Sequence, residues 1–345
     1  MKILTNILRH RLLWPAVALV ALLAIDAART PGFLSVRIQD GHLYGSLIDI
    51  LRYGAPLVLI SLGMTLVIAT RGIDLSVGAV VAIAGALACV HIANGSDQSS
   101  VGAVLVAVVL VLAVAVALGL WNGILVARFG VQPIVATLIL MVAGRGIAQL
   151  ITQGQIITVH SPPYKVIGGG YLATIPVPVL ITAGVLALLA ILLRRTALGM
   201  LLESVGGNAE ASRLVGVRAT GLIVAVYVVC ACCAAVAGLM TSSNVTAADS
   251  NNAGLWIELD AILAVVLGGT SLTGGRFHLG GTILGALVIQ TLTTTVYTIG
   301  VPPQTSLLWK AVVVIAVCLI QSPAFRARIR PPRRRRAPTP AEVPA

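Results

Sequence analysis

The sequence predicts an all-α polytopic membrane protein with about ten transmembrane helices, some of them broken or re-entrant. Three observations carry this. Hydrophobic residues fill 58% of the 345 positions and charged ones 10%, with a mean hydropathy of +1.02, too little charge for a soluble surface of this size. Apolar runs near ~20 residues, the length that crosses a hydrocarbon core, recur along the chain. Lysine and arginine concentrate in alternate loops, as they do in proteins with one cytoplasmic face. Aromatics are scarce at 4%, whereas Ala, Val, Leu and Gly dominate, which suits closely packed helices.

The elements run in order from the N-terminus. Lys2, Arg9 and Arg11 precede an apolar run at 12–28, read as an uncleaved first helix because many further spans come after it. Residues 29–53 are polar and mixed in charge, fitting an external loop or a short amphipathic helix. Helices are predicted over 55–70, 75–90, 101–127, 131–152, 179–193, 222–242, 257–272, 279–297 and 306–320. Polar interruptions leave 75–90, 257–272 and 279–297 open to broken or re-entrant forms. The loops at 94–100, 153–178 and 244–256 fall outside, and the 153–178 loop is rich in Gly and Pro.

With the N-terminus inside, 17 of the 23 Lys and Arg residues are cytoplasmic, against four outside (Arg29, Arg37, Arg52, Lys165). Both termini are therefore expected in the cytoplasm. Residues 1–325 read as one membrane domain and 326–345 as a basic, disordered cytoplasmic tail. Its seven arginines lie beside the last apolar run without interleaved aromatics, which points to topology and anionic membrane lipid, not nucleic acid. All five cysteines lie in apolar runs and read as buried small hydrophobes.

One interruption stands out. Residues 70–78 read Thr-Arg-Gly-Ile-Asp-Leu-Ser-Val-Gly between two apolar runs. Backbone in lipid must satisfy its own hydrogen bonds, so such a break is tolerated only against protein or a watery cavity. Gly72, Asp74, Ser76 and Gly78 are thus candidates for a path or a hinge, with Asp74 or Ser76 capping the following helix; a plain turn at the cytoplasmic face is the alternative. Gly72 and Gly78 are spaced like Gly274 and Gly280 in a second Gly-rich break.

The longest polar internal segment, 196–217, contains two short helical pieces, 200–205 and 209–214, broken at 206–208. A compact, weakly charged interior loop of this kind fits docking into another protein's groove, and it fits an ordinary amphipathic connector too. Gly119/Gly123 and Gly281/Gly285 have the small-xxx-small spacing that packs helices. Arg145, Glu258, Asp260 and Lys310 fall towards the outer ends of their helices, where ion pairs are expected.

The stretches GMTLVIATRGIDLSVGAVVAIAGA, WNGILVARFGVQPIVATLILMVAGRGIAQL, TALGM…VGGNAEASRLVGV and LDAILAVVLGGTSLTGGRF resemble permease subunits of bacterial ABC importers of the ribose/xylose/arabinose/galactose branch. QDGHLYGSLIDIL, ITQGQI and NNAGLWIELDAIL point, within that branch, to galactofuranose permeases. The resemblance covers about 39–321. It implies import of a monosaccharide across the bacterial inner membrane by alternating access. It also implies a second permease subunit (identical or different), cytoplasmic ABC ATPases that hold ATP and Mg, and a periplasmic sugar-binding protein. It places coupling to the ATPase on Glu203, Gly206, Gly207, Asn208, Glu210, Arg213 and Gly216. For a sugar path, weak hydroxyl-bonding groups are wanted, which selects Asn122, Gln290, Thr293 and Thr294. Arg71 departs from the glycine that relatives often carry before Gly-Ile-Asp-Leu-Ser, leaving the role of that turn open.

The residues agree in one respect. A P-loop needs lysine after glycine, and none of Lys2, Lys165 and Lys310 follows one. ATP energy must therefore come from a partner, with no cofactor or metal bound by this chain. No HExxH or GxSxG motif supports an enzyme. The rival readings are an ion-coupled secondary transporter, with Asp74, Arg145 and Asp260 as a charge relay, and a membrane enzyme acting on lipid-linked sugar.

Overall fold

The computed structural model describes residues 12–39 and 41–300, with 305, 308–312, 315 and 319 beyond them. The basic tail, the N-terminal cations and most of the predicted last helix lie outside the described residues. The helices are α1 (Leu13–Arg29), α2 (Ser46–Ala69), α3 (Val77–Ala93), α4 (Val101–Ala127), α5 (Pro133–Thr152), α6 (Pro162–Gly169), α7 (Val177–Arg195), α8 (Leu198–Gly207), α9 (Ala209–Leu214), α10 (Ala219–Val245), α11 (Ile257–Leu267) and α12 (Leu279–Thr298). Three two-stranded pairs join the loops: β1 (Arg37–Gln39) with β2 (His42–Tyr44), β3 (Ile157–Thr158) with β6 (Ala247–Ala248), and β4 (Tyr171–Leu172) with β5 (Ile175–Pro176), all antiparallel.

Six of these helices, α2, α4, α5, α7, α10 and α12, are long and apolar enough to cross a membrane. Burial sorts them. The apolar window of α2 is 78% buried, whereas those of α4, α5 and α7 are 22%, 28% and 17% buried. Helices that are apolar all round and still exposed must meet lipid or another protein. So α2, α3 and α10 form the centre, and α4, α5 and α7 the periphery. The α10 helix packs against α2, α3 and α4, and α12 against α1, α2 and α11.

Helix α2 starts at Ser46, inside the stretch expected to be an external loop or a short amphipathic helix, and runs on unbroken into the predicted 55–70 span. Its first turns carry Asp49 and Arg52, and those charges mask the helix from hydropathy. Helix α11 ends at Leu267, short of the expected 272, because Gly268 and Gly269 break it. The loops expected outside do meet one another. Leu43 N donates to Thr174 O (3.0 Å), Arg52 Nη2 to Asn244 Oδ1 (2.8 Å) and His160 N to Gln98 Oε1 (2.8 Å). The other end of the bundle holds 70–76, α8, α9 and 268–278.

The glycines set the helix spacing. A Cβ on Gly119 would lie 2.6 Å from Val228 Cα, and one on Gly123 2.8 Å from Val224 Cα; this stripe lets α4 lie directly on the α10 backbone. Gly63 meets Cys230 Cα in the same way at 2.8 Å. Gly281 and Gly285 meet the backbone of α11 at Gly268 and Ala264. By contrast, nothing stands within 4 Å of a Cβ on Gly184 in α7. Gly119→Ala is therefore expected to lower the thermal unfolding midpoint in detergent by forcing α4 off α10, a cost of about 1–3 kcal/mol. Gly184→Ala is expected to leave the midpoint unchanged or raise it by removing backbone freedom.

Candidate functional site

The break between α2 and α3 begins as a helix terminus. Arg71 N donates to Ile68 O (3.0 Å) and Gly72 N to Val67 O (2.9 Å), the paired bonds of a Schellman motif. The left-handed position of that motif is usually glycine, but here it is Arg71, with φ 65°. An L-residue there costs roughly 1–2 kcal/mol, so something must offset it.

The offset lies on α8. Arg71 Nε donates to Gly206 O at 2.6 Å, and Arg71 Nη2 donates to Gly207 O. These are terminal carbonyls of α8, which have no partner in their own helix and carry its partial negative charge. The exchange is reciprocal, because Ala69 O at the end of α2 accepts from Gly275 N at 2.9 Å. Gly206 is wedged between them. A Cβ there would collide with Ala69 O and lie 2.6 Å from Gly275 N. Gly274 and Gly275 adopt φ 80° and 88°, and the Arg71 stem lies against Gly274. Three segments distant in sequence, 69–71, 206–207 and 274–275, therefore share one backbone junction. The two glycine breaks that share a spacing in sequence meet here through Gly274 and Arg71.

From Arg71 the chain turns inward. Asp74 and Ser76 are both 1% exposed. Ser76 N and Ser76 Oγ donate to Asp74 Oδ1 at 2.9 and 2.6 Å, and Asn122 Nδ2 of α4 donates to Ser76 Oγ at 2.9 Å. Neither expected cap bonds an N–H of α3: Asp74 accepts from Ser76, which precedes the helix, and the Ser76 side chain bonds Asp74 and Asn122. Thr137 Oγ1 of α5 donates to Ile73 O at 3.2 Å. The Tyr227 hydroxyl of α10 lies 2.6 Å from where a Gly72 Cβ would stand. Gly78 brings α3 against Gly254 and the Glu258 carboxylate of α11. The break thus touches α4, α5, α8, α10 and α11.

The 196–217 segment forms two helices meeting at Asn208, as its composition predicts. Asn208 Oδ1 caps α9 by accepting from Glu210 N (3.1 Å) and Ala211 N (3.0 Å), and Ser204 and Ser212 share a 2.9 Å bond across the joint. Glu203, Gly207, Asn208, Glu210, Arg213 and Gly216 are exposed, and Gly206 is buried in the junction. Leu214 and Val215, at the tip, are 87% and 79% exposed. An apolar pair this exposed at the tip of a polar connector is a contiguous hydrophobic feature of the surface.

The remaining candidates sit elsewhere. Gln290 of α12 packs on Gly54 of α2. Thr293 and Thr294 donate to Ile289 O and Gln290 O of their own helix. Asn122, by contrast, is bonded to the break through Ser76. At the opposite end, Lys310 pairs with Asp260 at 2.9 Å. Arg145 and Thr152, on one face of α5, hold the 249–254 turn. Arg145 Nη1 donates to Ser250 O (3.2 Å) and Ala253 O (2.5 Å), and Thr152 Oγ1 bonds Ser250 Oγ (2.7 Å). Within that turn the Asn252 side-chain amide, helped by the Asn251 and Asn252 backbone N–H groups, holds the Asp249 carboxyl below the usual carboxylate range.

Arg71, Gly274, Gly275, Thr137 and Tyr227 are members of this arrangement whose roles sequence reasoning left unassigned. The available signal was that the charge bias placed both glycine breaks and 194–218 on the same face.

Gly206→Ala is expected to separate α2 from α8. The check is proteolysis or cysteine labelling at the buried positions of 196–217, which become more accessible; a Gly207→Ala control, with nothing within 4 Å of its Cβ, leaves their accessibility unchanged.

Comparison with known proteins identifies the family. Residues 46–318 match the family model described as "Branched-chain amino acid transport system / permease component". The galactofuranose transporter permease protein of Escherichia coli is 48% identical over 327 residues, covering 93% of this chain and 94% of that protein. The fructose import permease protein of Bifidobacterium longum is 40% identical over 324 residues, 92% and 89% of the two chains. The ribose import permease protein of Escherichia coli is 35% identical over 310 residues, 89% and 92% of the two chains. No solved structure matches. On the family match and on these identities, the chain belongs to the family of transport-system permease components.

Proposed function

We propose that this chain is the transmembrane permease subunit of an ATP-binding cassette importer that carries a monosaccharide across the bacterial inner membrane by alternating access. A sugar, not a branched-chain amino acid, is favoured because the three relatives above are named for galactofuranose, fructose and ribose. Galactofuranose is the first sugar to test, on the 48% identity.

The observation that carries the mechanism is that the exposed Leu214–Val215 tip stands at the end of α9, which is bonded to α8, and that α8 in turn is bonded to the α2–α3 break. A cytoplasmic ATPase, holding ATP and Mg, docks on Glu203, Asn208, Glu210, Arg213 and Gly216 around that tip. Gly206 and Gly207 join the docking segment to α2, and Gly72, Asp74, Ser76 and Gly78 form the hinge. A periplasmic sugar-binding protein delivers the sugar at the end that carries β1, β2 and the 249–254 turn. A second permease subunit, identical or different, completes the core. Asn122, Gln290, Thr293 and Thr294 line the path at different depths.

In this reading residues 1–325 form one permease domain of about ten spans, among which α3 (17 residues) and α11 (11 residues) are the short ones. Both termini are cytoplasmic, and the 326–345 tail rests on anionic lipid. The ion-coupled rival needs Asp74, Arg145 and Asp260 as a relay. Each has its own separate partners: Ser76 for Asp74, backbone carbonyls for Arg145 and Lys310 for Asp260.

The test is uptake by proteoliposomes containing the chain, its ATPase and its binding protein, with ATP supplied on the ATPase side. Radiolabelled galactose (whose solution equilibrium includes the furanose), ribose, fructose and leucine are compared. Sugar uptake that needs ATP and the binding protein is expected; leucine uptake, or sugar uptake on a proton gradient without ATP, overturns the reading. A Leu214→Asp/Val215→Asp pair is expected to lose ATPase co-purification while the chain still inserts. An Asp74→Ala variant is expected to keep the ATPase and lose transport.

A further inference from the structure

We propose that Arg71 is the positioning residue that carries ATPase-driven movement from α8 to the α2–α3 break. This rests on the reading of the chain as an ATP-driven importer permease, and it goes beyond that reading by assigning the transmission to one side chain.

The geometry is specific. Arg71 occupies the left-handed position at the end of α2, so its side chain leaves the helix sideways toward α8, where it reaches Gly206 O and Gly207 O. A guanidinium presents its N–H groups in a rigid fork, so two bonds to successive carbonyls fix both distance and angle between the helix ends. The Gly275 N to Ala69 O bond holds the same helix end from the other side. Arg71 is followed at once by Gly72, whose close approach to Tyr227 leaves no room for a side chain. Three residues beyond Arg71 stands Asp74, buried and bonded to Ser76, which in turn bonds Asn122 of α4. A displacement of α8 therefore pulls on the backbone of the break itself.

The backbone also supplies a clean test. Glycine accepts φ near +65° without strain and is the usual residue at this position of the motif. Arg71→Gly therefore removes the fork and leaves the terminus of α2 relaxed. Arg71→Lys keeps a cation beside the α8 carbonyls and gives up the planar two-point grip.

Galactose moved per ATP hydrolysed is measured in proteoliposomes of the complete importer, together with ATPase co-purification and thermal stability in detergent. Arg71→Gly removes both charge-assisted hydrogen bonds, and the expected result is a fall of at least about tenfold in galactose per ATP, the factor that one such bond alone corresponds to. ATPase binding is retained and the unfolding midpoint is not lowered. Arg71→Lys is expected to fall between Arg71→Gly and the wild type. An unchanged ratio in Arg71→Gly overturns the proposal. So does a fall that merely tracks lost ATPase binding or lost stability, which makes Arg71 an assembly or packing contact. A wild-type importer that moves no galactose, ribose or fructose on ATP fails at the level of the importer reading instead, and is recognised by that control.

Discussion

The structure depends on how two helix ends satisfy their last carbonyls against each other. A helix leaves its final C=O groups without partners in its own ladder, so they are met by side chains, by other backbone or by water. Here α2 and α8 end against each other and share the solution. Arg71, from the end of α2, serves Gly206 and Gly207 of α8, and Gly275 serves Ala69 of α2. Neither helix can withdraw without exposing carbonyls of the other. That mutual dependence couples a short exposed pair of helices to the buried break at Asp74.

Close backbone approach is the second constraint, and it stems from the first. Gly206 admits Ala69 O, Gly72 admits the Tyr227 hydroxyl, and Gly78 admits Gly254 and Glu258. Around this core the α4–α10 and α11–α12 pairs use the same device at Gly119, Gly123, Gly281 and Gly285. Chains packed this closely have little freedom to deform smoothly, so movement is confined to the places where helices stop. At the α8–α9 end of the bundle those places include 70–76, 208 and 268–278. The first and last of these meet at Arg71, which also bonds the end of α8 just before 208.

Much of this was legible in the sequence. Apolar runs located the long helices, and charge bias put Arg71, 194–218 and Arg276 on one face, consistent with the junction of 69–71, 206–207 and 274–275. The break at 206–208 was readable because two glycines precede an asparagine that caps α9. The continuity of α2 back to Ser46 was not, since Asp49 and Arg52 set that stretch apart as a loop or a separate amphipathic helix. The partners of Arg71 were not legible either. They lie more than a hundred residues away, and the bonds go to backbone carbonyls, which leave no mark on residue type. Asp74 and Ser76 were recognisable as a polar pair in an apolar setting, but their bond to Asn122 depends on how α4 packs.

The most direct measurement of the coupling is a pair of distances followed on ATP binding to the assembled importer. Spin labels at Thr70→Cys and Glu210→Cys report whether the end of α2 and the α8–α9 pair move as one body. Labels at Arg128→Cys and Glu210→Cys report movement of that body against the end of α4. The expected result is a constant 70–210 distance and a changed 128–210 distance. A 70–210 distance that opens while 128–210 stays fixed would contradict the coupling of α8 to the α2–α3 break.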